Sequence, residues 1–239
     1  KIWRLVKPVY GLVDAPLRWH QELRRESEKL GAQRSNLQQA VMKWTKNGAG
    51  GLVKKNDNYC IPEGLVVEHV DDLIYAGNKV FEEEFIGKPK LRFPFGKEDN
   101  AIDGFKYTGV NVSQNEKGFT IILEQRNYVL GLTEVSVDKN AKPNEMLDWK
   151  RQAAYRSLLG AAQWAAQRTR PDCSYKSSRV ATYSGKATGL NLKELNDVAK
   201  QLKGSSGTGI KIPRLREGKN LRILGISQCD TTHNYAECQ

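Results

Sequence analysis

Cysteine is scarce in this chain: four residues in 239, with no C-x-x-C pair. Cys60, Cys173, Cys229 and Cys238 are too scattered for a disulfide framework, which favours a reducing compartment. Cys229, His233 and Cys238 fall at a spacing that invites zinc, but the set lacks a fourth ligand at the usual distance in sequence. Long apolar runs are missing too. No stretch approaches the ~20 residues a membrane-spanning helix needs, so no membrane partner is expected. Lys1 to Lys7 carries charge and no apolar run follows it, which is not the pattern of a secretory signal. There is no initiator Met, so the chain is expected to begin inside a longer coding sequence. With 39% hydrophobic and 8% aromatic residues it is not a disordered composition. The length allows one large domain or two small ones, with a real core.

Acids are the next scarcity, and it is local. Residues 1–100 hold 17 Lys and Arg against 14 Asp and Glu, whereas residues 150–222 hold 16 against 4. The net charge of +11 therefore resides in one stretch. Mixed-sign charge would suffice for solubility. A basic stretch this free of acids is the footprint of a polyanionic partner, most often nucleic acid.

The pattern of elements is α+β. Asp14-Ala15-Pro16 opens a helix, with Asp14 as its cap and Leu17, His20, Leu23 and Leu30 near one face, and Gly31 stops it. Residues 46–62 read as a loop. Leu65 to Val70 and Leu73 to Ala76 are apolar strands on either side of Asp71-Asp72, a hairpin with two carboxylates at its tip. Val80 to Lys90 is a short helix. Phe105 to Ser113 and Phe119 to Leu123 read as strands about a turn at Asn115 to Gly118, and Gln125 to Leu132 as another helix. Residues 136–148 read as a linker. Tyr155, Leu158, Leu159, Ala162, Ala165 and Ala166 mark one face of a helix from 149 to before Pro171. Asp172 to Tyr183 is a second helix. Leu192 to Leu202 is a third, with Asn191 and Glu194 as a capping pair. Gly204 to Gly209 is a turn, and Leu221 to Ile226 begins a strand.

Adjacent carboxylates repel, and magnesium, which prefers hard oxygen ligands, is the usual remedy; the plain alternative is a solvated Asp-Asp turn. The surrounding residues bear on that choice. His69-Val70-Asp71-Asp72-Leu73-Ile74 resembles the Y/H-V-D-D motif of reverse transcriptases. Lys7-Pro8-Val9-Tyr10-Gly11-Leu12-Val13-Asp14-Ala15-Pro16-Leu17-Arg18-Trp19 is similar to the L-Y-G-L-K-Q-A-P-R-x-W signature of copia-type LTR retrotransposons. Phe105 to Gly109, Gln125 to Val129, Tyr155 to Gly160 with Thr169-Arg170-Pro171-Asp172, and Leu202 to Gly209 resemble the F-x-Y-L-G, Q-x-x-Y-I/V, Y-R-x-L-x-G…T-R-P-D and L-K-G-T-x-x-x-G-L segments that follow. The motifs occur in that order over nearly the whole chain.

The resemblance implies a segment of a Pol polyprotein. Its parts would be a partial reverse transcriptase palm of antiparallel sheet and helices (1–113), a thumb-like segment and linker (114–148), a basic helical connection region (149–220) and the truncated start of a ribonuclease H-like domain (221–239). It implies RNA-directed DNA polymerase chemistry, with Asp71 and Asp72 binding two magnesium ions for in-line phosphoryl transfer from a deoxynucleotide to a primer. Val70 would lie beside the primer end, and Tyr10 and Gly11 in the nucleotide and template pocket, although both also suit ordinary packing before a helix. Arg151, Arg156, Arg168, Arg170, Lys176 and Arg179 would hold the phosphate backbone of an RNA template and DNA primer. Arg170 has the alternative of pairing with Asp172. Other Pol segments are implied partners, and cytoplasmic particles and the nucleus the implied location.

Three departures qualify this. The third metal-binding acid and the fingers would lie upstream, so the isolated segment is expected to be inactive. Gln228 follows Ser227 where the ribonuclease H strand expects an acid, and a neutral amide binds magnesium poorly. Residues 49–62 are longer than the usual connector. The competing expectation is a decayed relic retaining only sequence-blind affinity for nucleic acid.

Overall fold

A computed structural model describes residues 12–35, 38, 40–46, 62–69, 72–93, 96–115, 120–137 and 142–214. Tyr10, Gly11, Val70, Asp71, residues 47–61, the expected turn from residue 116 onward, the Leu221 to Ile226 strand, Gln228 and the cysteine–histidine set near the end lie outside them. The fold is mixed α+β: two antiparallel four-stranded sheets, each in simple sequential order, and a set of helices.

Helix α1 (Ala15–Lys29) begins with Pro16 in its first turn, where the missing N–H costs nothing. Asp14 holds the N-cap position, but its side chain makes no capping bond and accepts from Arg18 instead. Gly31 ends the helix at φ 87°, a conformation that favours glycine. Leu17 is exposed, so the buried face of α1 is narrower than the apolar spacing suggests. Strands β1 (Gln33–Arg34), β2 (Val41–Trp44), β3 (Gly64–His69) and β4 (Asp72–Gly77) form the first sheet. It packs on a helical run composed of α2 (Lys79–Phe81), a π-helical turn (Glu82–Ile86) and α3 (Gly87–Arg92). Gly64 and Gly77 are cross-strand partners, and both seat the fully buried ring of Phe81. A Cβ on Gly64 would lie 2.1 Å from that ring. Phe81 stacks on Phe85 at 5.3 Å, and Trp44 covers the pair.

The second sheet contains β5 (Phe105–Tyr107), β6 (Val110–Gln114), β7 (Ile121–Glu124) and β8 (Ile210–Ile212). The continuous strand expected over Phe105 to Ser113 is a hairpin. Thr108 and Gly109 both take positive φ, 46° and 83°, and turn the chain between β5 and β6. Two such residues suit the tight turns whose twist matches paired strands. Because β8 pairs with β7, strands β5 to β7 share one sheet with the distant residues 210–212.

The helices after it are α4 (Arg126–Leu130), α5 (Trp149–Arg168), a 3-10 turn (Pro171–Cys173), α6 (Ser174–Ala181) and α7 (Gly189–Gly204). The buried face of α5 is Tyr155, Leu158, Leu159, Ala162, Ala165 and Ala166, as its period predicts. These residues join Leu192, Leu195, Val198, Ala199 and Leu202 of α7 in the second core. The cap of α7 is Thr188, whose hydroxyl accepts from the Asn191 N–H while the Asn191 side chain accepts from the Thr188 N–H. Asn191 is thus the third residue inside the helix and not its cap, because the helix starts three residues earlier than the apolar pattern does.

Candidate functional site

The hairpin of β3 and β4 pairs Gly64 with Gly77 through to His69 with Asp72. Side chains alternate across a strand, so His69 and Asp72 share one face and Glu68 lies on the other with Val66. Burial follows that alternation: Gly64, Val66 and Glu68 are buried, whereas Leu65 and His69 are exposed. Asp72 is exposed and forms no ion pair with any other described residue. Its carboxylate is a hard oxygen donor of the kind magnesium takes. Its neighbour Asp71 lies outside the described residues. Among those residues, no three His, Cys, Asp or Glu side chains gather around a common point.

Glu68 is the residue that the sequence reading passed over. It interrupts an apolar strand on the core face, and α1 answers it: His20 Nδ1 lies 2.8 Å from Glu68 Oε1. Burial pushes the Glu68 carboxyl above its ordinary range, against the opposing pull of the His20 hydrogen bond and charge. An acid at an inward position of a strand was the available signal. Tyr107, the last residue of β5, reaches the same region, and its ring meets His69 edge-on at 6.4 Å. Its hydroxyl is buried and has no hydrogen-bond partner among the described residues. Burial raises its pKa first, and the negative charges of Asp72 and Glu68 raise it further.

From Tyr107 a chain of contacts runs into the helical part. The Gly109 carbonyl accepts from Gln125 Nε2 at 3.3 Å, and the Gln125 side-chain oxygen accepts from the Thr169 hydroxyl at 3.1 Å. Trp164 lies against Gly109, where an added Cβ would sit 3.5 Å from the indole. Next to Thr169 is Arg170, 1% exposed. Arg170 donates to both carboxylate oxygens of Asp172 (2.9 and 2.7 Å), to the Leu202 and Ser205 carbonyls (3.2 and 3.1 Å) and to the Ser205 hydroxyl (2.7 Å). The segments noted in sequence around 105–109, 125–129, 169–172 and 202–209 therefore meet in one network.

This corrects one expected role. Arg170 is buried and its donors are satisfied internally, so it is not available to a phosphate backbone. Its guanidinium holds the Asp172 carboxyl below the usual carboxylate range. The other five candidate cations differ in their freedom. Arg156 and Arg168 are exposed, and Arg168 lies over the Trp164 ring at 4.5 Å. Lys176 is exposed and donates to Gln201 at 2.8 Å. Arg151 is bound to Asp148, and Arg179 to Glu194. Among the described residues no helix is long and apolar enough to cross a membrane.

The chain is similar to proteins of retrotransposons. It is 22% identical to a putative transposon Ty5-1 protein of Saccharomyces cerevisiae, over 97% of this chain and 73% of that protein. It is 25% identical to the retrovirus-related Pol polyprotein from transposon RE2 of Arabidopsis thaliana and 24% identical to the one from transposon RE1. Each of those alignments covers 96% of this chain but only 15% of the plant polyprotein. No protein-family model matches the chain, and no solved structure matches it. The similarities support a retroelement-derived Pol segment.

Proposed function

We propose that the chain is the palm-to-connection segment of an RNA-directed DNA polymerase. The observation that carries the reading is Asp72, an exposed carboxylate without an ion pair among the described residues. It stands at the end of a tight antiparallel hairpin, in a chain similar along almost its whole length to Pol polyproteins. Asp71 and Asp72 would hold magnesium. Bound there, the ions would supply charge neutralisation for attack of a primer hydroxyl on a nucleotide phosphorus. The hairpin's part is positional: the cross-strand register fixes Asp72 opposite His69, at the end of the hairpin away from the Phe81 seat. Tyr107 packs against His69, the cross-strand partner of Asp72. Arg156, Arg168 and Lys176 would meet the sugar–phosphate backbone of an RNA–DNA hybrid without reading its sequence.

The test is primer extension on an RNA template by the protein with its upstream coding segment restored. The expected result is magnesium-dependent extension that is abolished in Asp71→Asn and Asp72→Asn, with hybrid binding retained. Binding of hybrid without extension in the restored wild type would instead establish the second reading, a relic that keeps only its basic grip. The dense basic charge of residues 150–222 favours either form of binding.

A further inference from the structure

The amino-terminal end of α5 presents a surface that the polymerase reading does not use. Residues 143–152 are laced to residues 184–190. The Leu147 N–H donates to the Ala187 carbonyl at 2.9 Å, the Leu190 N–H to the Pro143 carbonyl at 3.0 Å, and Met146 bridges to Thr188. The Gln152 side chain donates to the Ser184 carbonyl at 2.6 Å and accepts from the Ala187 N–H at 3.1 Å. This lacing gathers Trp149, Met146, Tyr183 and Leu190 at one end of the helical bundle, and all four are exposed; Trp149 is 76% exposed. Lys150, Lys186 and Lys193 stand among them, exposed and without ion pairs among the described residues. Lys150 Nζ lies 5.6 Å from the centroid of the Trp149 ring. The nearby acids are engaged: Asp148 caps α5 and binds Arg151, Glu194 binds Arg179, and Glu145 accepts from the Lys142 N–H.

We propose that this end face is a stacking platform for single-stranded nucleic acid, with Trp149 taking a base and Lys150, Lys186 and Lys193 meeting the flanking phosphates. Charge argues for this occupant. Protein interfaces are depleted in lysine at their centres, whereas an exposed aromatic set among lysines is the make-up of a single-strand site. A duplex keeps its bases stacked on each other and would leave the indole unused. The platform lies about 28 Å along α5 from Arg168, by the rise of 19 helical residues, and about 22 Å from Trp164, which meets the Thr108–Gly109 turn. It is thus a second contact, remote from the carboxylate hairpin. The inference rests on the nucleic-acid reading above, but not on the polymerase chemistry.

The experiment is anisotropy titration of fluorescein-labelled oligo(dT) and of an RNA–DNA hybrid with the full 239-residue chain and its variants. Trp149→Ala should weaken oligo(dT) binding by about 5-fold or more and leave hybrid binding within about twofold. Trp149→Phe should restore most of the loss. Lys186→Ala with Lys193→Ala should make the salt slope of oligo(dT) binding shallower by about 1.4. Equal affinity of Trp149→Ala and wild type for oligo(dT), or equal loss on both ligands, would overturn the platform. So would a shift in sedimentation on Trp149→Ala, which would make the patch a contact between copies of the chain. Wild-type protein that binds neither ligand would overturn the nucleic-acid reading itself, which separates the two failures.

Discussion

The amino-terminal sheet and the carboxyl-terminal helical bundle each set one carboxylate against one basic side chain, and the two carboxylates move in opposite directions. Glu68 is buried and faces His20, so loss of hydration dominates and the carboxyl holds its proton more tightly than in the open chain. Asp172 is half exposed and receives two charge-assisted hydrogen bonds from Arg170, so attraction dominates and the carboxyl releases its proton more readily. The lesson is that an ion pair is not one kind of object. A bidentate guanidinium outweighs partial burial, and a single imidazole does not outweigh deep burial. The Arg170 pair organises its surroundings, because the same guanidinium also holds the end of α7. The Glu68 pair is a conditional link between α1 and the hairpin that carries the candidate acids.

The largest effect is expected at Arg170. Arg170→Met should destabilise the helical bundle by about 3 kcal/mol, because the Leu202 and Ser205 carbonyls lose buried donors; denaturant titration followed by helical circular dichroism measures it. Gly64→Ala should cost the amino-terminal sheet about 1–3 kcal/mol through its collision with Phe81. Hydrogen exchange should place that loss in β2 to β4 and leave α5 and α7 protected. Tyr155→Phe should cost about 1 kcal/mol, since its buried hydroxyl donates to the Val180 carbonyl at 2.6 Å. That hydroxyl's pKa is pushed up to about 12 by burial first, so its hydrogen bond persists across the accessible pH range.

The smallest effects have the sharpest signs. Glu68 has a raised folded pKa, so its contribution is fully present below the ordinary glutamate value and is lost as pH rises through the raised one. Asp172 has a lowered folded pKa, so its contribution is present above the ordinary aspartate value and is lost as pH falls through the lowered one. Glu68→Gln should therefore flatten the pH dependence of the amino-terminal sheet just above the ordinary glutamate value and leave the acid limb of the bundle unchanged. Asp172→Asn should do the reverse. Hydrogen exchange of the two regions across a pH series would separate them. A common pH response in both would show that the two cores unfold together.

Much of the helical bundle was legible in sequence. The apolar period of α5 named its six buried residues, because a surface helix must turn one stripe inward whatever it packs against. The hairpin of β3 and β4 was legible for the same reason, with its strands ending within a residue or two of the apolar runs. The Thr108–Gly109 turn was hidden because apolar residues continue on both sides of it and only one glycine marks the break. The Thr188 cap was hidden because Asn191 is an equally good capping residue, and only the helix geometry chooses between them. The pairing of Arg170 with Asp172 was legible as an alternative because the two are close in sequence, whereas its burial against Ser205 and the His20 partner of Glu68 were hidden because those contacts are far away in sequence.

The sequence by itself determined the periods of the strands and helices, the segregation of basic charge into residues 150–222 and the order of the segments that resemble a retroelement polymerase. Those properties are local, or additive along the chain. Only the tertiary structure decided which charges face solvent. It turned Arg170 inward to tie a carboxylate to the end of α7, set Glu68 beneath the hairpin against His20, and left Trp149 outside among exposed lysines. Burial is set by what folds over a residue, and the residues that do so come from distant parts of the chain.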